Sequence, residues 1–181
     1  MNGVTWAISN VGYNGTFTKS PEDIGMLYQW NSIEGFEVLN LNNNDSIKDW
    51  DSIKNGKWIG SSPFISLNFW SNNVCPVGWH VPSTDEFESL ISSKSTYGKL
   101  NGKSGYYFGK KGNQIFLPTT GMISSNGVYY FKDKIGAYWS SESHFQDLKD
   151  ARYMIVEERG VIRLSGLRSF GHCIRCVKDK N

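Results

Sequence analysis

Alanine is almost missing from this chain, at 3 of 181 residues, and leucine is sparse at 10. Both are staples of helix bundles, so their scarcity argues against an all-helical plan. No apolar run approaches the roughly 20 residues that a membrane-spanning helix needs. An excess of either charge is missing too, since 19 Lys and Arg face 17 Asp and Glu for a formal charge of +2. With both signs interspersed there is no strong field, so neither nucleic acid nor an anionic membrane is expected as a partner. Cysteine is limited to 3 residues, an odd count that leaves at least one thiol unpaired or paired outside the chain. The opening Met1-Asn-Gly-Val-Thr-Trp6 does not read as a signal peptide. Two origins fit, a cytosolic protein or the mature region of a longer precursor, and the cysteines favour the second.

What is abundant is ring and turn chemistry: 7 Trp, 9 Tyr and 10 Phe stand beside 19 Gly, with many Ser and Asn. That mixture favours short strands joined by tight turns and long loops. The length suits one substantial core, and no repeat or domain boundary is evident. The expected organisation is a single domain over 1–181, with 1–74 as an N-terminal strand and long-loop lobe and 75–181 as a helix and antiparallel sheet core.

Along the chain, Val4 to Val11 reads as an opening strand before an Asn14-Gly15 turn. Ser20-Pro-Glu-Asp23 has the look of a helix start, kept short by Gly25. Leu27 to Trp30 reads as strand or buried corner, and 34–73 as a long loop packed by its own tryptophans. Ser83-Thr-Asp-Glu86 is a capping box, with Phe87, Leu90 and Ile91 as the apolar stripe of a helix ending near Ser92 to Lys94. Short strands are expected at 105–109, 114–118, 127–131, 137–140, 151–156, 161–164 and 172–177. Hairpin tips are expected at Gly112-Asn113, Asn126-Gly127 and Arg159-Gly160. One helix followed by a meander of short strands is an α+β plan.

In a strand, Cys173 and Cys176 point to opposite sides, which disfavours a bond or shared metal between them. A Cys75–Cys176 bridge is the preferred reading, and three reduced buried thiols are the alternative. Such a tether points to an extracytoplasmic address.

The ordered set Asn2-Gly-Val-Thr-Trp-Ala7, Pro21-Glu-Asp-Ile-Gly25, Tyr28-Gln-Trp30, Cys75-Pro-Val-Gly-Trp-His-Val-Pro82, Phe116-Leu-Pro118, Tyr138-Trp-Ser-Ser141 and Ile174-Arg-Cys-Val-Lys-Asp179 resembles the Fibrobacter succinogenes major paralogous domain. The resemblance implies a C-type-lectin-like fold related to formylglycine-generating enzymes. It also implies a secreted or surface-lipoprotein setting in Bacteroidetes and adhesion-like roles, and it makes Cys173 the odd thiol.

Calcium-dependent sugar binding is not expected, because the lectin tripeptides Glu-Pro-Asn, Gln-Pro-Asp and Trp-Asn-Asp are absent and serines follow Trp139. Asp45, Asp49 and Asp51 read as a solvated acidic loop. No catalytic residue, cofactor or metal site is expected. Trp79 and Trp139 read as core, with Cys75 and Cys176 as the structural tether. By elimination the binding surface lies between Tyr138 and His172, where loops ride on a sheet. Its candidates are Tyr138, His144, Phe145, Arg152, Glu157, Arg163, Arg168 and His172. The expected function is a non-catalytic lectin-like module that recognises a glycan or cell-surface protein through these late loops. The alternatives are an enzyme of the formylglycine-generating type and a structural subunit of a surface fibre.

Overall fold

The computed structural model describes residues 1–48, 50, 69–144, 146–147 and 149–180. In chain order it contains β1 (Met26–Tyr28), β2 (Gly35–Glu37), β3 (Trp79–His80), α1 (Thr84–Ile91), β4 (Ser95–Leu100), β5 (Lys103–Phe108) and β6 (Ile115–Pro118). There follow β7 (Met122–Ile123), β8 (Tyr129–Tyr130), β9 (Ile135–Ser143), β10 (Asp150–Glu157), β11 (Gly160–Leu167) and β12 (Val177–Lys178). This is an α+β chain dominated by strands.

The centre of the molecule is the segment 171–174. The Cys173 N–H donates to the Ala137 carbonyl (2.9 Å), and the Trp139 N–H to the Cys173 carbonyl (3.0 Å). Those bonds set the segment parallel to β9. On its other side, Tyr28 and His172 exchange backbone bonds of 2.8 and 3.0 Å, which joins it to β1. Since β1 pairs with β2, and β9 with β10 and then β11, one ribbon array runs β2, β1, 171–174, β9, β10, β11. The antiparallel hairpins β4-β5-β6, β7-β8 and the pair β3-β12 pack around it.

Both faces of the array carry core at β9 and β10, while β11 is largely exposed. Tyr138, Met154 and Val156 meet Phe87 and Leu90 of α1 on one side. Trp139, Ala151 and Tyr153 meet Tyr28, Trp30 and Ile174 on the other. Along β10, Tyr153 and Met154 point to opposite faces and both are buried, because each face of the strand carries one of the two cores. Both cores also draw on residues from either side of position 74, including Trp6, Leu27 and Val38. The large rings are satisfied as well as buried. Trp30 Nε1 donates to the Ser140 carbonyl (2.9 Å), Trp139 Nε1 to the Tyr28 carbonyl (2.7 Å) and Trp6 Nε1 to Ser89 Oγ (3.0 Å).

Arg175 is fully buried. Its guanidinium donates to Asn10 Oδ1 (2.8 Å) and to the carbonyls of Ala7 (3.2 Å), Ile8 (2.7 Å) and Phe116 (3.0 Å). Burial pulls its pKa down to about 10, so it remains a cation held by oxygen dipoles. Next to it, Cys75 and Cys176 form a disulfide across a separation of 101 residues. Cys173 is a free, buried thiol that donates to the Ile24 carbonyl (3.2 Å).

Several expectations are corrected. Residues 4–11 form no strand, only bridges from Trp6 to Val177 and Val11 to Phe17, because their backbone follows the irregular segment 174–178 instead of a regular partner. Residues 20–24 form a turn: the Asp23 carboxylate accepts from the Ser20 N–H (3.0 Å), and Gly25 takes φ +74°. A side chain at Gly25 would collide with the Val11 carbonyl, so the chain bends there where a helix would continue. The stretch 172–177 is ladder-paired only from Val177, since its partners change from β1 and β9 to the N-terminal segment and β3. Trp79 is half-buried, with Phe17 edge-on at 5.3 Å, and so is a flank of the core. No strand is expected at 95–100, yet β4 is there, turning into β5 through Asn101 (φ +47°) and Gly102 (φ +85°).

Candidate functional site

Capping chemistry and one ion pair build the only cleft that gathers expected binding residues among the described positions. The Ser83 hydroxyl accepts from the Glu86 N–H (3.1 Å), and the Glu86 carboxylate accepts from the Ser83 N–H (2.9 Å). A second carboxylate reaches the same helix end. Glu142, near the end of β9, accepts from the N–H (3.1 Å) and hydroxyl (2.5 Å) of Thr84, which complements the positive end of α1. Further along, Glu88 of α1 forms an ion pair with Arg163 of β11. These contacts join α1 to β9 and β11.

Between them lies an open cleft of about 530 Å³, lined by Thr84 and Phe87 on the helix side and by His144, Arg152, Arg163 and Ser165 on the sheet side. The Tyr153 and Leu164 side chains complete it. Its exposed chemistry is polar: Phe87 is 1% and Tyr153 8% exposed, so little ring face is on offer. His144 is fixed by its loop, its N–H donating to the Asp150 carbonyl (3.0 Å) and its Nδ1 accepting from the Asp147 N–H (3.2 Å). Burial, then the Asp147 charge, pushes the Asp150 carboxyl up.

The structure thus brings together His144, Arg152 and Arg163. It removes three other candidates from the surface. Tyr138 is buried and donates to the Pro118 carbonyl (2.7 Å). Arg168 is buried with its guanidinium 4.3 Å from the centre of the Trp30 ring, and burial lowers its pKa. His172 is packed among Trp139 (4.1 Å), Tyr153 (4.5 Å) and Phe170 (5.9 Å). Its Nδ1 meets the Gly171 carbonyl (2.9 Å), its Nε2 meets no hydrogen-bond partner among the described residues, and burial holds its pKa at about 3. All three lie on or beside the inserted segment 171–174, and that insertion turns a polar-looking stretch into core. Glu157 is half-exposed at the β10–β11 turn, outside the cleft. Phe145, Asp49 and Asp51 lie outside the described residues.

Sequence reasoning overlooked Glu142, Thr84 and Glu88. The signal was present for Glu142, an acid following Trp139-Ser-Ser141 that could face a helix start, but the pairing crosses 58 residues. His80 ends β3, just before the helix cap. Its Nδ1 lies 2.7 Å from Asp179 Oδ1 and its Nε2 3.1 Å from both Glu86 oxygens, which ties the helix cap to the stretch after β12. Among the described residues no group of three or more His, Cys, Asp or Glu side chains could hold a metal ion. No described helix is long and apolar enough to cross a membrane.

Comparison with curated proteins found no match, and comparison with solved structures found none either. A family model does match, over residues 5–178, which takes in every strand described above, α1 and the disulfide. The chain belongs to the Fibrobacter succinogenes major domain family.

Proposed function

We propose that the protein is a non-catalytic, extracytoplasmic recognition module of C-type-lectin-like fold that binds a protein partner across the cleft between α1 and β10–β11. The observation that carries this reading is the convergence of Arg152, Arg163 and His144 with the Thr84 and Ser165 hydroxyls on one open cleft. Guanidinium groups donate in a planar fork that suits the carbonyls and carboxylates of a polypeptide. The buried rings of Phe87 and Tyr153 leave little stacking surface for a sugar there. Beside the cleft, Ile162, Arg163, Leu164 and Ser165 of β11 are exposed, giving the mixed aliphatic and charged rim usual at protein interfaces. The disulfide supports the extracytoplasmic address. An enzyme of the formylglycine-generating type fits less well. Cys176 is bonded to Cys75, and burial pushes the Cys173 thiol up to about 12, far from the range of reactive thiols.

The test is a parallel screen of the protein and its Arg163→Ala variant on a surface-protein array and a glycan array. Protein ligands that the variant binds at least tenfold more weakly, at an unchanged melting temperature, support the reading. Protein hits indifferent to Arg163→Ala, or hits confined to glycans, overturn it.

A further inference from the structure

A second concavity, of about 310 Å³, lies on the N-terminal side of the molecule. Its apolar lining includes Tyr13, Phe17, Met26 and Leu39. Tyr13 is 72% and Leu39 56% exposed, so a phenol ring and an aliphatic side chain are open to solvent beside the hollow. The same hollow carries Lys19, Asp23 and Glu37. Asp23 uses one carboxylate oxygen to accept from the Ser20 N–H. The Lys19 ammonium, Glu37 carboxylate and Tyr13 hydroxyl have no hydrogen-bond or ion-pair partner among the described residues.

Hydrogen bonds brace the walls. The Gly12 N–H donates to the Thr16 carbonyl (2.6 Å), the Thr16 N–H to Tyr13 (3.2 Å), the Thr18 N–H to Asn10 (2.9 Å) and the Met26 N–H to Val11 (3.0 Å). The buried Tyr28 hydroxyl donates to the Gly12 carbonyl (2.7 Å). Asn10 Nδ2 donates to the carbonyls of Asp23 (3.2 Å) and Ile24 (2.9 Å) while its Oδ1 accepts from Arg175. The hollow is therefore anchored to the buried cation at the centre of the fold.

We propose that this hollow is a binding site for a neutral pyranose ring. A pyranose has an apolar C–H face and a rim of hydroxyls, and the hollow offers the complement: an exposed phenol ring and aliphatic floor edged by carboxylates and an ammonium. Recognition here falls to the side chains that line the hollow. Two carboxylates against one ammonium give a lining of net −1, which disfavours acidic sugars such as uronic acids. The site is distinct from the cleft at Arg163 and does not depend on it.

The experiment is NMR titration of the protein, up to 50 mM, with methyl glycosides of glucose, galactose, mannose and N-acetylglucosamine, and with methyl glucuronide. The expected result is saturable shifts confined to residues 12–26 and 37–39 with at least one neutral glycoside, and weaker shifts with the glucuronide. Tyr13→Ala and Glu37→Gln should each weaken that binding at least fivefold, with the fold intact because both side chains are exposed, while Arg163→Ala leaves it unchanged. No saturable shift with any neutral glycoside overturns the proposal. So do shifts centred elsewhere, or wild-type binding by both variants.

Discussion

Trp139 binds three ribbons through one side chain. Its indole is fully buried, its Nε1 holds the Tyr28 carbonyl of β1, and its ring meets Tyr153 of β10 (5.6 Å) and His172 of the inserted segment. Trp139→Ala should destabilise the fold by about 3–5 kcal/mol, read as a shift in urea midpoint at constant m-value. An unchanged midpoint would remove Trp139 from the core. His172 makes the fold acid-sensitive. In the folded chain its imidazole stays neutral down to about pH 3, because burial disfavours the charge, whereas the unfolded chain takes up a proton near 6.5. On this account stability is complete above pH 6.5 and falls as pH drops from there toward 3, by up to about 1.4 kcal/mol per pH unit. Urea midpoints at pH 7, 5 and 4 should show a shallower pH slope for His172→Phe than for wild type, and equal slopes would refute the assignment. Trp139 was legible as core because it stands in a short motif next to turn-type serines, Ser140 and Ser141, where a buried indole needs only one partner for its N–H. Tyr138, Arg168 and His172 were not, since a polar residue on a late strand looks the same whether it faces water or a neighbouring ribbon.

At the scale of elements, α1 is an eight-residue helix too short to persist alone. Its existence rests on its caps and on Phe87 and Leu90 in the core. Ser83→Ala removes the capping hydroxyl and should cost about 1 kcal/mol, measured by thermal or chemical unfolding. Glu142→Gln, which weakens the charge at the same helix end, should be additive only in part because the two caps share one turn. The β4–β5 turn depends on Gly102 at φ +85°, and nothing crowds a side chain there. Gly102→Ala should therefore cost about 1 kcal/mol from backbone conformation alone, while Gly102→Asn costs less. Helix α1 could be read from the sequence because capping is a contract among residues three apart. The β4–β5 hairpin was equally local, its Asn101-Gly102 pair being a favoured two-residue turn, and was missed only because Ser95 to Leu100 alternates weakly. The supposed strand at 4–11 and helix at 20–24 were illegible for a different reason. Their backbone is set by carbonyls of 174–178 and by the close approach of Gly25 to Val11, both distant in sequence.

For the whole molecule, the disulfide closes a loop of about 100 residues, which in the chain-entropy model amounts to about 4.7 kcal/mol, less whatever structure the unfolded chain retains. Cys75→Ser should lower stability by about 2–5 kcal/mol. Protein from an oxidising compartment, denatured without reductant, should titrate a single thiol, Cys173, and three thiols would remove the tether. The α+β class and the pairing of Cys75 with Cys176 were within reach of composition and strand alternation. The place of 171–174 between β1 and β9 was not, because nothing in a short stretch announces that it will be flanked on both sides. That placement bears on biogenesis. The ribosome delivers this stretch after both of its neighbours, so β1 and β9 must wait with bare edges and Trp139 without its ceiling. A nascent chain halted before residue 171 should remain open to proteases and holding chaperones, and should snap shut in one step once the last ribbon slides home.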